Sequence, residues 1–245
     1  LKRLFISDLH LQSERPEITR ALRFFLSEVA PGSDELYLLG DIFEAWIGDD
    51  AIDPTLNEIS PLFTELAKQG TAIFFQAGNR DFLVGEKTAK LLSATLLDEL
   101  VTITLPQGDA LIAHGDQFCI DDHDYQAFRK MVRNTDWQQQ FLAKSLDERQ
   151  AIARHLRDES GKQNSNKEDY IMDVSPCYCA EVVKEKQCSL LIHGHTHRPA
   201  VHGDINGNEE LKRIVLGDWS ESGWYLLSDD QQLELIKFKP SKNFN

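Results

Sequence analysis

The sequence predicts a mixed αβ fold with one helical insertion, and three observations carry that prediction. Short apolar runs recur along the chain, each stopping abruptly at Asp, Asn or His. Amphipathic segments lie between the early runs, and residues 121–172 depart from this rhythm, with helical character and no strand signal over 125–157.

The runs are LFISDLH (4–10), LYLLGD (36–41), AIFFQAGNRD (72–81), ALIAHGD (110–116), LLIHGHTH (190–197) and IVLGDW (214–219). Segments of this length, rich in Ile, Leu, Val and Phe and punctuated by Gly, read as buried strands. The polar residues that end them then share one rim. Residues 18–29 and 55–69 repeat apolar side chains at intervals of three and four, as helices with one buried face do. Pro16 and Pro54 stand before these segments and Gly32 and Gly70 after them, as start and stop signals. Residues 125–157 are helical in character, so 121–172 reads as a cap inserted into a core of 1–120 and 173–245. The tail, 223–238, reads as two strands, WYLLS and LELIKF, turned at Asp229 and Asp230.

Forty acidic against twenty-six basic residues give a formal charge of −14 over 245 residues. Such a surface repels nucleic acid, so no nucleic-acid partner is expected, and an anionic substrate must be met by a metal or a local arginine cluster. No obligate protein partner is evident. Cys119, Cys177, Cys179 and Cys188 match neither a zinc spacing nor a disulfide scaffold, which points to a reducing compartment. The opening LKRLFISDLHL is too short and too broken by Asp8 and His10 for a signal sequence, and no apolar run reaches the roughly 20 residues of a membrane span. A cytoplasmic location is expected.

The strand ends gather Asp8, His10, Asp41, Asn79, His114, His195 and His197. Imidazoles, carboxylates and one carboxamide without a thiolate form the donor set of a borderline first-row ion such as Mn(II), Fe(II) or Zn(II). Seven donors exceed what one such site uses, so two ions sharing a bridging carboxylate is the economical reading. Taken singly the motifs are weak, since a Gly-Asp turn after a strand is common; the ordered series is what carries weight. His193 reads as a satisfied strand histidine, and His123, His155 and His202 lie outside the series. Asp81 and Asp116, which follow the ligand motifs, read as turn caps in preference to groups that orient a ligand.

The order D-x-H, GD, GN-x-D, HGD, GH-x-H resembles that of the calcineurin-like metallophosphoesterases and spans residues 8 to 197. The resemblance implies an α+β fold, a two-sheet β-sandwich flanked by helices, with two metal ions at the strand ends. Asp8, His10, Asp41 and His197 would hold the first ion and Asp41, Asn79, His114 and His195 the second, with Asp41 as the bridge. GNRD in place of the usual GNHD, with GDIFEAWIGDD (40–50), GNRDFLVG (78–85) and IHGHTHRPA (192–200), is similar to one subfamily, the UDP-2,3-diacylglucosamine pyrophosphatases of lipid A biosynthesis. That likeness implies two Mn²⁺ per chain and a lipid-linked UDP-sugar substrate. It also implies attack of metal-activated water on the phosphorus next to uridine, releasing UMP and 2,3-diacylglucosamine 1-phosphate. Asp41, Asn79, Arg80 and His114 would be catalytic, Arg80 neutralising the charge that develops. A soluble nucleotide or protein phosphoesterase is the alternative.

The same likeness makes Asn79, Arg80, Asp122, Tyr125 and His195 substrate contacts, together with Arg157, Ser160, Asn164 and Lys167. These last four are spaced to share one helical face, although the polar run ESGKQNSNK and Gly161 also suit a solvated loop. Phe128, Met131, Val132, Trp137, Phe141, Leu142, Leu146 and Ile152 offer either an acyl-chain trough or plain core. The stretch DWQQQFLAKSLDERQ (136–150) is more polar and acidic than the cap of that subfamily, which argues against strong membrane attachment. A transient, peripheral contact with the cytoplasmic face of the bacterial inner membrane is expected.

Overall fold

A computed structural model describes residues 1–51, 53–164 and 171–240, without the side chains of 158–164. The strands β1 (Arg3–Ile6), β2 (Glu35–Leu39), β3 (Ala72–Gln76) and β4 (Ala94–Leu97) run parallel in one sheet. A second sheet holds β5 (Val101–Leu105), β6 (Gly108–Ala113), β7 (Leu190–His193), β8 (Ala200–His202) and β9 (Lys212–Val215) in the order β5-β6-β7-β9-β8, with β6, β7 and β9 parallel. The chain then returns to the first sheet, where β10 (Gly223–Ser228) pairs antiparallel with β1 and β11 (Leu233–Phe238) with β10.

Alternation along each strand sorts the layers, because successive side chains point to opposite faces. Phe5, Tyr37 and Leu39 from the first sheet meet Ala110, Ile112, Leu190, Ile192 and Ile214 from the second, forming the core between the sheets. The intervening Leu4, Ile6, Leu36, Leu38, Ile73 and Phe75 face outward, under α1 (Pro16–Phe24) and α2 (Pro54–Lys68). On the far side, Leu111, Ala113 and Leu191 pack under α7 (Pro176–Glu185). Since both faces of the central strands are buried, the strands read as continuous apolar runs and not as alternating ones. The two-sheet sandwich flanked by helices is therefore the observed architecture.

Both predicted helices are present, with each proline inside the first turn. Phe25–Val29 is wound as a π segment that prolongs α1. Helix α3 (Glu86–Leu91) leads into β4, and the insertion between β6 and α7 contains α4 (His123–Val132), α5 (Thr135–Leu142) and α6 (Leu146–Asn164). Of these, α5 and α6 share the main core: Phe141 is buried in it, and Trp137 and Ile152 pack against it. Among the described residues, no helix is long and apolar enough to cross a membrane.

Candidate metal centre

Where the parallel strands end, the backbone is forced into a rare conformation. Asp8, His10, Asp41, His195 and His197 have φ between 52° and 68°, and they are five of the eight described non-glycine residues with positive φ. Left-handed backbone costs an L-residue about 1–2 kcal/mol, a cost met only where the surroundings over-determine it. Here the locks are specific. Asp8 N donates to Gly40 O (3.0 Å) and His10 N to Asp41 O (2.9 Å). His195 N donates to the Asp8 carboxylate (3.0 Å) and Arg80 N to Asp41 Oδ1 (2.8 Å). Two glycines permit the close approach: a Cβ on Gly78 would strike the Asp41 carboxylate, and one on Gly194 would strike Asp8 and Ser7.

The seven predicted donors converge. His10 Nε2 lies 3.1 Å from His197 Nε2, which is 3.3 Å from Asp8 Oδ1. On the other side, Asn79 Oδ1 lies 2.9 Å from His114 Nε2 and 2.8 Å from His195 Nδ1. Asp41 lies between, 3.9 Å from His10 Nε2 through one oxygen and 3.6 Å from His114 Nε2 through the other. Asp8, His10 and His197 form one group with the spacing to hold an ion, and Asp8, Asp41 and His114 form another. Carboxylate, imidazole and carboxamide donors, with Asp8, Asp41 and His114 buried and the others opening toward solvent, fit a pair of first-row divalent ions.

A family model described as calcineurin-like phosphoesterase matches residues 1–199. The chain belongs to that family. Among curated proteins, a UDP-2,3-diacylglucosamine hydrolase of Cellvibrio japonicus is 49% identical over 91% of this chain and 93% of its own. Proteins of the same description from Hahella chejuensis and Chromohalobacter salexigens are each 45% identical, over 96% of this chain and over 97% and 96% of their own. Calcineurin-like phosphoesterases use a dinuclear metal centre, and the convergent donors of this chain are its candidate ligands.

The electrostatics of this calcineurin-like centre divide its histidines. Burial disfavours a charged His10, but Glu44, with Oε2 at 2.9 Å from Nδ1, and the carboxylates of Asp41 and Asp8 outweigh it, and the pKa rises to about 9. Burial and the neighbouring charge of His114 lower His195 to about 4. His114 itself is raised, its burial opposed by Asp41 and Asp8. Asp8 is buried, yet the hydrogen bond from His197 and the charges of His114 and His10 hold its carboxyl well below the usual range. His195 thus offers a lone pair at neutral pH, whereas an ion binding at His10 must displace a proton.

Around the donors, the structure refines several readings. Asp81 is wholly buried and accepts from the backbone of Asp41 (3.2 Å), Ile42 (2.7 Å) and Gly78 (2.7 Å), so it binds two ligand loops together as a turn cap. Asp116 corrects the sequence reading. It caps no turn through its side chain; its carboxylate accepts from the Tyr125 hydroxyl (2.7 Å) and Arg129 Nε (2.8 Å), because α4 places both opposite it. The Tyr125 ring stacks over His195 with centroids 5.9 Å apart. His193 is buried on β7 between Gly194 O (2.8 Å) and Arg213 (3.3 Å), a structural histidine as read. Glu44, the partner of His10, carries no motif of its own; its one signal in the sequence is an acidic residue three positions after the Gly-Asp turn.

Two cavities meet at the centre. A polar one is lined by His10, Asp41, Asn79, Arg80, Asp122, Tyr125, His195 and His197, and by Cys119 and Met172. An apolar one runs beneath the insertion, walled by Trp46, Phe82, Phe128, Trp137, Phe141 and Leu156. Asn79, Arg80 and Tyr125 line both. Of the predicted trough residues, Phe128, Trp137 and Phe141 face this cavity, Val132 is buried and Ile152 packs into the core. Met131, Leu142 and Leu146 are exposed. Arg157 lines the apolar cavity and donates to Glu44 O (3.2 Å). The side chains of Ser160 and Asn164, and all of Lys167, lie outside the described residues. Asp122 caps α4, accepting from Tyr125 N (3.1 Å).

Proposed function

We propose that this chain hydrolyses the pyrophosphate bond of UDP-2,3-diacylglucosamine, water and substrate giving UMP and 2,3-diacylglucosamine 1-phosphate, a step of lipid A biosynthesis. The observation that carries this reading is that the polar and apolar cavities share Asn79, Arg80 and Tyr125. A molecule with a diphosphate joined to acyl chains suits such a junction; a soluble nucleotide leaves the apolar arm unused. The relatives' descriptions support the same substrate.

Asp8, His10, Asp41 and His197 would hold one Mn²⁺ and Asp41, Asn79, His114 and His195 the other. When bound, such ions supply Lewis acidity to phosphoryl oxygens and lower the pKa of water. The protein's own part is positioning and charge. Arg80, a permanent cation with a planar fork, meets the phosphate oxygens where charge grows during in-line attack on the phosphorus next to uridine. Asn79 and His195 orient the same phosphate. Asp122, Tyr125, Arg157 and, by the sequence expectation, Ser160, Asn164 and Lys167 receive the sugar and its phosphate, with residues 121–172 acting as a cap on the core of 1–120 and 173–245. The apolar cavity holds acyl chain and excludes water. Met131, Leu142 and Leu146, exposed on the insertion, suit a transient contact of a cytoplasmic protein with the inner-membrane surface, from which the substrate is drawn.

The test is product analysis by mass spectrometry after turnover in ¹⁸O-water. Label on UMP supports the reading. Label on the acylated sugar phosphate refutes the assigned point of attack, and preference for ADP-ribose, diadenosine polyphosphate or a phosphopeptide refutes the substrate.

A further inference from the structure

Three arginines of the insertion reach into the core, and each ends on a backbone carbonyl in a loop that follows a ligand-bearing strand. Arg157 donates to Glu44 O (3.2 Å), Arg149 to Ile47 O (2.7 Å) and Arg133 to Gly78 O (2.9 Å). Arg149 is buried and fastens α6: its fork also closes on the Asp50 carboxylate. No candidate metal ligand adjoins Ile47 or Asp50, and this loop reaches the centre only indirectly, through Trp46 N donating to Arg80 O (3.0 Å), so the clamp bears first on the seating of the insertion.

Arg133 is placed differently, because the peptide that it grips belongs to the centre. Gly78 N donates to Asp81 (2.7 Å), and the residue lies so close to Asp41 that no side chain fits. The next residue, Asn79, spans His114 and His195 with its carboxamide oxygen. The other sides of the guanidinium face Glu99 (3.3 Å) and the Phe82 ring, whose centroid is 5.4 Å from Cζ. Phe82 is a wall of the apolar cavity. One side chain at the C-terminus of α4 thus joins the insertion to Glu99 of the core, to the cavity wall and to the peptide preceding Asn79.

We propose that Arg133 is a positioning residue that ties the seating of the insertion and its apolar cavity to the alignment of Asn79 and Arg80. A carbonyl with its donor removed is free to tilt, and Asn79 and Arg80 tilt with it, whereas Arg149 holds the carbonyl of Ile47, in a loop that walls the cavity and meets Arg80 only through the backbone of Trp46. Filling the cavity is then felt at the phosphorus as turnover and not only as binding. This last consequence rests on the substrate reading above; the alignment of Asn79 does not.

The experiment uses the manganese-loaded full chain with Arg133→Ala, Arg133→Lys and Arg149→Ala, on two substrates: the diacyl UDP-sugar and bis(p-nitrophenyl) phosphate, which has no acyl chain. Arg133→Ala should lower kcat on both by about 10- to 100-fold, the range for losing a group that orients a metal ligand, with little change in KM. Arg133→Lys should recover most of it, since an ammonium still donates to the carbonyl and still faces Phe82. Arg149→Ala should raise KM for the lipid substrate and leave kcat near wild type. The proposal is overturned if Arg133→Ala alters only KM, as Arg149→Ala does, or if lysine serves no better than alanine. Should the alanine variant fail to fold, Arg133→Gln replaces it, and wild-type kcat there overturns the proposal. If the wild type ignores the lipid nucleotide, the substrate reading fails, while the diester arm still decides on Arg133.

Discussion

Removing the carboxylate of Asp49 tests the reasoning away from the metal ligands. Helix α3 starts at Gly85, which has no side chain to cap it, and Asp49 supplies the missing acceptor from a loop 36 residues upstream. One carboxylate receives Gly85 N (2.9 Å), Lys87 N (3.0 Å), Thr88 N (3.3 Å), Thr88 Oγ1 (2.6 Å) and Trp46 Nε1 (3.2 Å). The Lys87 amide is exposed and rehydrates on mutation. The other four bonds, at a net value of about 1 kcal/mol each, make Asp49→Ala destabilising by about 3–4 kcal/mol. For a chain of this size that corresponds to a fall in Tm of roughly 6–16 °C, read by thermal melting of the purified variant. A fall under about 2 °C, well inside the effect of one such bond, would refute the capping account.

The pH dependence of this effect has a definite sign. Burial opposes ionisation of Asp49, but the bonds from Thr88, Gly85 and Trp46 outweigh it and hold its carboxyl below the usual range. Its stabilisation is complete above the unfolded value, about pH 4, and is lost as pH falls through the lower folded value. The Tm gap between wild type and Asp49→Asn should therefore stay constant from about pH 5 to 8 and narrow only in acid. A gap that closes toward alkaline pH contradicts the assignment.

Asp41→Ala should abolish turnover and lower the metal content measured by plasma emission spectroscopy, and near-normal activity after metal supplementation would remove Asp41 as the bridge. Arg80→Ala should lose roughly 10²- to 10³-fold in kcat, as for one preorganised charge donor; an unchanged rate excludes Arg80 from the chemistry. Ala153 lines the apolar cavity, so Ala153→Trp should raise KM for long-chain substrate and spare a small diester, an equal effect on both showing that the cavity does not receive acyl chains.

The strand ends were legible because buried parallel strands leave a compositional mark: a short apolar run, then a polar residue at the rim. Strands β4, β5 and β8 leave no such run: Thr95 interrupts β4, Thr102 and Thr104 alternate through β5, and β8 is three residues long and ends at His202. The ligand series was legible from order and spacing, yet nothing in it revealed the left-handed backbone of Asp8 or His197, which the neighbouring loops impose. Least legible were the bonds between the insertion and the core. Arg149 and Asp50 are 99 positions apart and Arg133 and Gly78 are 55 apart, and a single long-range pair leaves no period to detect. The role of Asp116 is hidden for a related reason, since its partners Tyr125 and Arg129 come from a helix whose docking no local pattern specifies.

The positive φ angles at Asp8, His10, Asp41, His195 and His197 also restrict what can replace them. Beyond glycine, the residues that tolerate this conformation best are Asn, Asp and His, which are also oxygen and nitrogen donors. Substitution at these positions is thereby channelled from one donor to another, shifting which cation is preferred, while bulky aliphatic replacements are penalised by the main chain before any chemistry is lost.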